Sequence, residues 1–271
     1  SSGSAAAVGS GMLAGGTGSQ VIGSIIRPAS YCGAYGFKPS VGGINRGGSF
    51  DGFSQSCTGV IAATLTDTWV MAREMSSRAG GDAGYVGLTG PMHLPSASKP
   101  KTVALLQTAG WELATDEAKQ QLQSARDTLE AAGITVIDRS SNAAVEEAEQ
   151  AISESNPLSR SINAWEGRWP LNTYARDMEA NKLSDGARER LAESETMSQD
   201  EFRGMLERRN EIRAIFANLE DHCDVCVTLS APDAAPEGLG WTGDPNFTVC
   251  TSLLGVPAVS LPVLETQRLP L

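Results

Sequence analysis

The sequence predicts an α/β fold, and two observations support this prediction. The short apolar runs Thr102–Gln107 and Ile134–Ile137 have the length and composition of buried strands. A strand, a helix and a second strand connected at this spacing form a parallel pair. Two later apolar runs, 224–229 and 258–262, predict further buried strands.

The segments between these strands are predicted to be mainly helical. Thr115 is the predicted N-cap of the helix that joins the first two strands. Residues 143–220 have a helical pattern throughout, and Ser198 and Glu201 have the spacing of a capping box. A short helix is predicted around 247–254. Residues 1–60 are rich in Gly, Ser and Ala, which is typical of tight turns and close backbone approaches rather than of surface helices.

Charge and composition exclude several functional classes. The 271 residues carry a formal net charge of −11 with no cluster of Lys or Arg, so we expect neither a nucleic-acid partner nor an anionic membrane surface. The sequence has no apolar run of about 18 residues and no charged leader before an apolar segment, so no membrane span or signal peptide is predicted. Five irregularly spaced cysteines do not predict a disulfide framework, and the expected location is the cytoplasm.

No cofactor or metal site is predicted. Cys223 and Cys226 form a CxxC pair without a second pair at zinc spacing, so we interpret them as two buried thiols. The phosphate-binding pattern GxxxxGK[ST] is absent. The glycines of GSGMLAGG do not lie between a clear strand and a clear helix, as a dinucleotide site requires.

Ser24 is the candidate for chemistry, in the stretch GTGSQVIGSIIRPASYCG (Gly16–Gly33). A serine hydroxyl attacks a carbonyl group only when a base accepts its proton, and the usual base is histidine. The two histidines, His93 and His222, are expected at the surface, and the Gly-x-Ser-x-Gly elbow is absent. These observations favour a serine with a different proton acceptor, beside backbone amides that would hold an oxyanion.

The first 48 residues resemble the amidase signature. In that signature, a Ser-Ser-Gly-Gly-Ser-Ala-Ala-Ala-Val element precedes a Gly-Thr-x-x-Gly-Ser nucleophile element, which is followed by Arg, Pro-Ala, Cys-Gly and Gly-Phe-Lys-Pro. This chain has the matching run SSGSAAAVGSGMLAGGTGSQVIGSIIRPASYCGAYGFKPS. Looser matches occur at Ser56–Trp69, Ala231–Leu239 and Leu253–Val263. The resemblance implies one amidase-signature domain over 1–271, with a mixed central β-sheet flanked by helices on both faces and without its first and last portions.

The resemblance also implies a Ser, cis-Ser, Lys triad that cleaves amides through an acyl-enzyme. Ser24 matches the nucleophile. The backbone N–H groups of Val21, Ile22, Gly23 and Ser24 match the segment that forms the oxyanion hole.

The other two members of the triad match no residue of this chain so directly. The bridging cis-serine aligns one residue before Ser1, so Ser1 matches the second serine of the doublet and is retained as an alternative for the bridging role. The family lysine lies well upstream of the nucleophile. Lys38, in the GFKP element, matches a structural lysine of the signature, and by itself a lysine in such a turn is typically solvated or caps a carbonyl group.

Several positions bear on the substrate. Ile22 makes the oxyanion loop bulkier than in many members, which predicts a narrower acyl pocket. Gln20 occupies a position where many members have Asp, and in this respect the chain resembles the branch of the family that acts on small amides. Arg27 is expected to pair with a carboxylate, and a structural carboxylate is favoured over one from the substrate. The segment Ala164–Leu171 (AWEGRWPL) either lines the substrate cleft or packs between helices.

The predicted function is therefore hydrolysis of the carbon–nitrogen bond of a small linear amide, with release of ammonia or an amine. A small-molecule amide is the expected partner and a homodimer the expected assembly. Two alternatives stay open. The first alternative is the amide-cleaving subunit of the tRNA-dependent amidotransferase, which is built from the same signature. The second is an inactive or fragmentary family member, since such a member would also lack the lysine.

Overall fold

The computed structural model describes residues 1–49 and 52–271. Its strands are β1 (Gly15–Gln20), β2 (Tyr35–Lys38), β3 (Cys57–Ala62), β4 (Thr102–Leu105), β5 (Thr135–Ile137), β6 (Val225–Val227), β7 (Ala258–Ser260), β8 (Glu265–Thr266) and β9 (Leu269–Pro270). Its α-helices are α1 (Ser2–Gly9), α2 (Ile26–Tyr31), α3 (Leu65–Ala79), α4 (Asp116–Ala131), α5 (Ala143–Ile152), α6 (Ser155–Glu166), α7 (Arg168–Asp177), α8 (Asp185–Thr196), α9 (Gln199–Ala217) and α10 (Val249–Leu254).

The strands pair in both senses, which confirms the predicted α/β class. An antiparallel sheet has the order β1-β3-β2-β7, and a parallel sheet has the order β5-β4-β6. The strand–helix–strand prediction is confirmed, because β4 and β5 are parallel with Val103 opposite Val136 and α4 lies between them in the chain. The strands β8 and β9 form a separate antiparallel pair.

The caps predicted for two helices are present. The Thr115 side chain accepts a hydrogen bond from the Ala118 amide at the start of α4. Ser198 and Glu201 form the reciprocal capping box of α9, in which each side chain bonds to the backbone of the other residue. These side chains satisfy amide groups that the first turn of a helix leaves without an internal acceptor.

Helix α1 departs from the sequence prediction, which expected turns in this region. Ala is the best helix former, and three consecutive alanines outweigh the Ser and Gly residues around them. Ala5 and Val8 are buried, and the Ser4 hydroxyl donates to the carbonyl oxygen of Thr17 in β1. Packing on the first strand therefore stabilises a helix that is short and otherwise polar.

Strand β4 is apolar on both faces because it separates two hydrophobic cores. Ala104 and Leu106 lie in the core that contains α5, α6, α9 and α10. Val103 and Leu105 lie in the core that contains α4. Side chains alternate between the two faces of a strand, so a run without polar residues is the pattern of a strand buried on both sides.

Close backbone approaches shape the antiparallel sheet, as the Gly-rich composition predicts. Gly59 lies in β3 between β1 and β2. A Cβ atom at this position would clash with the carbonyl oxygen of Phe37 and lie 2.7 Å from Cδ1 of Ile25. A Cβ atom at Gly36 would lie 2.6 Å from the Cβ atom of Ala29. The glycines therefore let α2 and the residues before it lie directly on the sheet.

We expect Gly59→Ala to destabilise the protein by about 1–3 kcal/mol, the usual cost of overpacking a filled interior. Gly3→Ala is the matched control, because Gly3 lies in α1 and a Cβ atom there would have no heavy atom within 4 Å. Removing a helical glycine stabilises by about 0.5–1 kcal/mol. Urea unfolding of both variants measures the difference, and equal stabilities would contradict this account of the sheet.

Candidate active site

Ser24 lies in the turn that connects β1 to α2. It is half-buried, and Ile25 and Ile26, which follow it, are buried in a core with Ala29 and Ile61. The apolar residues after Ser24 therefore fix the start of α2 against the antiparallel sheet. The serine itself remains at the edge of this core.

The side chain of Gln20 holds this turn in place. It is fully buried, and its Oε1 atom accepts hydrogen bonds from the amides of Ile25 (2.9 Å) and Ile26 (3.0 Å). Its Nε2 atom donates to the hydroxyl of Ser252 in α10 at 3.2 Å. The sequence indicated Gln20 only as a position that affects the choice of substrate. The structural role of this residue was missed. A polar residue at the end of a strand, directly before a Gly-rich turn, is the signal that would have indicated it.

The four backbone N–H groups assigned to the oxyanion hole lie inside the turn that Gln20 closes. In the part of the chain that the structure describes, the amides of Val21, Ile22, Gly23 and Ser24 donate to no protein acceptor. A Cβ atom at Gly23 would clash with the hydroxyl of Thr248, so this position requires glycine. The turn therefore has four consecutive amides without an acceptor among the described residues, and their role as an oxyanion hole stays a prediction.

The resemblance assigns Ser24, and as an alternative Ser1, to the proton relay. Within the described residues, the Ser24 hydroxyl has no hydrogen-bond partner. The Ser1 hydroxyl donates to the Ser19 carbonyl oxygen at 3.2 Å and accepts from the Ser19 amide at 3.1 Å. Ser1 thus bonds to the strand that leads to the turn. Its bridging role stays a prediction, and these bonds are what a supporting serine would make.

Lys38 is fully buried and caps a carbonyl group. Its Nζ atom donates to the Pro39 carbonyl oxygen at 2.9 Å and lies 3.7 Å from Sγ of Cys57. Of the two environments expected for this lysine, the solvated one is therefore wrong. Burial lowers the pKa of the ammonium group, with a smaller opposing effect from Cys57.

Arg27 lies one turn after Ser24 without a carboxylate partner. Its side chain is 8% exposed, and its Nη2 atom donates to the Thr242 hydroxyl at 3.1 Å. The Nε atom has no acceptor, and no carboxylate of the described residues forms an ion pair with the guanidinium. Burial lowers the pKa of Arg27, while Tyr31 and Asp244 oppose the shift. The structural ion pair that the sequence favours is absent from the described residues.

The remaining sequence candidates lie apart from this turn. His93 and His222 are exposed, as expected. The Sγ atoms of Cys223 and Cys226 are 3.9 Å apart, and both residues are half-buried rather than buried as the sequence predicts. Burial raises the pKa of Cys226. Across 1–49 and 52–271, no three His, Cys, Asp or Glu side chains are grouped as metal ligands. In the same ranges, no helix has the length and hydropathy needed to cross a bilayer.

The fold is similar to that of solved amidase structures. A solved structure described as an amidase superimposes on 99% of this chain with a TM-score of 0.80 at 20% sequence identity, and the chain covers 59% of that protein. The family model Amidase matches residues 1–271. The chain therefore belongs to the amidase-signature family.

Two curated relatives match the chain at low identity. It is 25% identical over 298 residues to a glutamyl-tRNA(Gln) amidotransferase subunit of Thermosynechococcus vestitus, with 100% of this chain and 62% of the relative covered. It is 26% identical over 300 residues to the subunit of the same name from Wolinella succinogenes, with 99% and 65% covered. The chain thus spans less than two thirds of the length of these relatives.

Gln20→Met tests how the turn is held. This variant keeps the length of the side chain but removes the acceptor for two buried amides, so we expect a loss of about 2–4 kcal/mol in the free energy of unfolding. Gln123→Met, at an exposed position of α4, is the matched control. Urea denaturation measures both variants, and a loss for Gln20→Met no larger than that for the control would argue against the role of Gln20.

Lys38 predicts a pH dependence of stability. Because its pKa is lowered in the folded protein, the unfolded chain binds the extra proton between that value and the ordinary value near 10.5. Stability rises with pH wherever the unfolded state binds more protons. The free energy of unfolding of the original chain should therefore increase, relative to Lys38→Met, as the pH rises from that lowered value towards about 10.5.

Urea titrations at several pH values measure this difference. Lys101→Met, which removes an exposed lysine, controls for the loss of a lysine side chain. A constant difference between the original chain and Lys38→Met across the range would show that Lys38 keeps its proton in the fold.

Proposed function

We propose that the protein is an amidase that cleaves the carbon–nitrogen bond of a small linear amide through an acyl-enzyme on Ser24. Family membership supports this proposal. The observation that carries it is the turn at 21–24, where a half-buried serine follows a row of amides without protein acceptors among the described residues. Backbone donors of this kind stabilise the oxyanion of a tetrahedral intermediate.

In this mechanism, the carbonyl oxygen of the substrate binds to the amides of the turn and the Ser24 hydroxyl attacks the carbonyl carbon. The proton of Ser24 passes to a base, and the nitrogen leaves as ammonia or an amine after it accepts a proton. Water then attacks the acyl-enzyme and releases the carboxylic acid. The resemblance assigns the base to a lysine acting through a bridging serine. One oxyanion donor typically contributes about 10²- to 10³-fold to the rate.

Gln20 has a positioning role in this proposal. By accepting hydrogen bonds from the Ile25 and Ile26 amides, it occupies the donors of the N-cap residue and of the first residue of α2. The amides of 21–24 are thereby left as the donors available to a substrate. Preorganised donors need no rearrangement when negative charge develops, which is why their fixed position accelerates the reaction.

A second candidate function is the amide-cleaving subunit of a tRNA-dependent amidotransferase. The curated relatives named as subunits of glutamyl-tRNA(Gln) amidotransferase favour it. Copurification of a stoichiometric partner protein would support this function. Turnover of small amides by the isolated protein would count against it. The homodimer and the cytoplasmic location stay predictions, and light scattering of the purified protein would test the homodimer.

The first test is labelling of the chain, as its gene encodes it, with a fluorophosphonate followed by peptide mapping. We expect a phosphonyl adduct on Ser24 that Ser24→Ala abolishes, because this reagent reacts with activated serines. Ser30→Ala is the matched control, since Ser30 lies in α2 only six residues further on, and this variant should still be labelled.

Labelling of a folded protein elsewhere than on Ser24 would overturn the serine mechanism. The same holds if no adduct forms at all. The absence of any adduct would leave the noncatalytic family member as the better account of the sequence.

A further inference from the structure

A cavity of about 520 Å³ lies among α6, α7, α9 and the segment before β3. One wall is aromatic, because Trp165 stacks on Phe202 with ring centroids 5.2 Å apart and planes 15° apart. The Arg168 guanidinium lies 4.3 Å from the centroid of Trp165. Trp169, on the rim, is 73% exposed and offers a free indole face. The cavity has the volume of a small-molecule site, and its open lining combines aromatic rings with charged side chains.

A buried cation that has no ion-pair partner among the described residues faces this cavity. Arg209 lines it, although the residue is only 8% exposed. Its Nη1 atom donates to the Ser54 hydroxyl at 2.6 Å, whereas its Nε atom has no acceptor and no carboxylate of the described residues forms an ion pair with it. Burial lowers the pKa of Arg209, and the charge of Glu166 opposes this shift without forming an ion pair. A desolvated guanidinium is costly unless it is paired, so a further anionic group would stabilise this arrangement.

The one acidic residue among the described lining residues is already engaged. The Glu166 carboxylate accepts a hydrogen bond from the Ser54 amide at 2.7 Å. Arg168 and Arg209 together outweigh its charge, so the described lining carries a net positive charge. An anionic group that enters the cavity would thus meet two guanidinium groups and one carboxylate held by the backbone.

The cavity adjoins the turn of Ser24 through one short segment. Ser54 contacts Arg209, and the next residue, Gln55, is fully buried and donates from Nε2 to the Val21 carbonyl oxygen at 3.4 Å. Two consecutive residues therefore contact the cavity on one side and the amide-lined turn on the other. Arg209 and the turn are therefore connected through the two consecutive residues Ser54 and Gln55.

We propose that this cavity binds a planar, negatively charged group of the substrate, of the aromatic carboxylate class. The carboxylate pairs with Arg209, whose planar fork matches its two oxygens, and the ring packs against Trp169 and the edge of the aromatic wall. The assignment to the substrate rests on the proposed function. Binding itself can be measured without turnover.

Tryptophan fluorescence titrations with benzoate test the proposal, with benzamide as the neutral ring and acetate as the carboxylate without a ring. We expect saturable binding of benzoate that is at least about tenfold tighter than binding of either comparator, as a charge-assisted pair provides. Arg209→Gln should weaken benzoate binding about tenfold or more and leave benzamide nearly unaffected. Arg203→Gln, which removes an exposed arginine from the same helix, is the matched control and should bind benzoate normally.

A second variant keeps the test decisive if Arg209→Gln fails to fold. Trp169→Ala removes an exposed side chain and should weaken benzoate and benzamide binding alike. Absence of saturable benzoate binding to the original chain would overturn the proposal. So would equal affinity for benzoate and benzamide.

Fluorophosphonate labelling separates this inference from the proposed function. Benzoate should slow the labelling of Ser24, because both ligands approach the same turn. Benzoate binding with no effect on the labelling rate would overturn the assignment to the substrate. Labelling of Ser24 without any benzoate binding would support the proposed function and contradict the proposed anion site. Benzoate binding to a protein that is never labelled would contradict the proposed function and support the anion site.

Discussion

The candidate active site depends on the buried amide of Gln20. This side chain joins three elements that are distant in sequence: the end of β1, the first amides of α2 and the hydroxyl of Ser252 in α10, 232 residues later. Without it, two amides at the start of α2 would be buried and unsatisfied, and the turn at 21–24 would have no fixed path. An amide side chain suits this role because it is both donor and acceptor, whereas a carboxylate could only accept.

Tight packing around the turn adds a second constraint. Gly36 and Gly59 allow α2 and the residues before it to approach the sheet, and Gly23 allows the turn to pass under Thr248. Hydrogen bonds from Gln20 set the path of the backbone, while these contacts limit its freedom to move. Ser24 is held from both directions, although its own side chain makes no bond within the described residues.

Sequence reasoning succeeded where the determinants are local and failed where they are distant. Thr115 and the Ser198–Glu201 pair bond to residues within one helical turn. The apolar run of β4 indicates burial on both faces of the strand. Gln20 bonds to α10, which is far away in the sequence. The partner of Arg27 is likewise a distant residue, Thr242, rather than the carboxylate that the sequence favours. Helix α1 was missed for another reason, since helix propensity and packing on β1 outweighed a composition typical of turns.

Two buried arginines carry a charge opposite to that of the whole molecule. The chain has a formal net charge of −11, yet Arg27 and Arg209 are buried without an ion-pair partner among the described residues. The acidic groups lie mostly at the surface, where water and salt screen them, while charges in a less polar interior act more strongly. Arg27 follows Ser24 by one helical turn, and the segment 54–55 joins Arg209 to the same loop. In the proposed mechanism, a developing oxyanion at Ser24 would therefore experience a positive contribution from these arginines despite the acidic composition, because a local field depends on nearby charges rather than on the net charge.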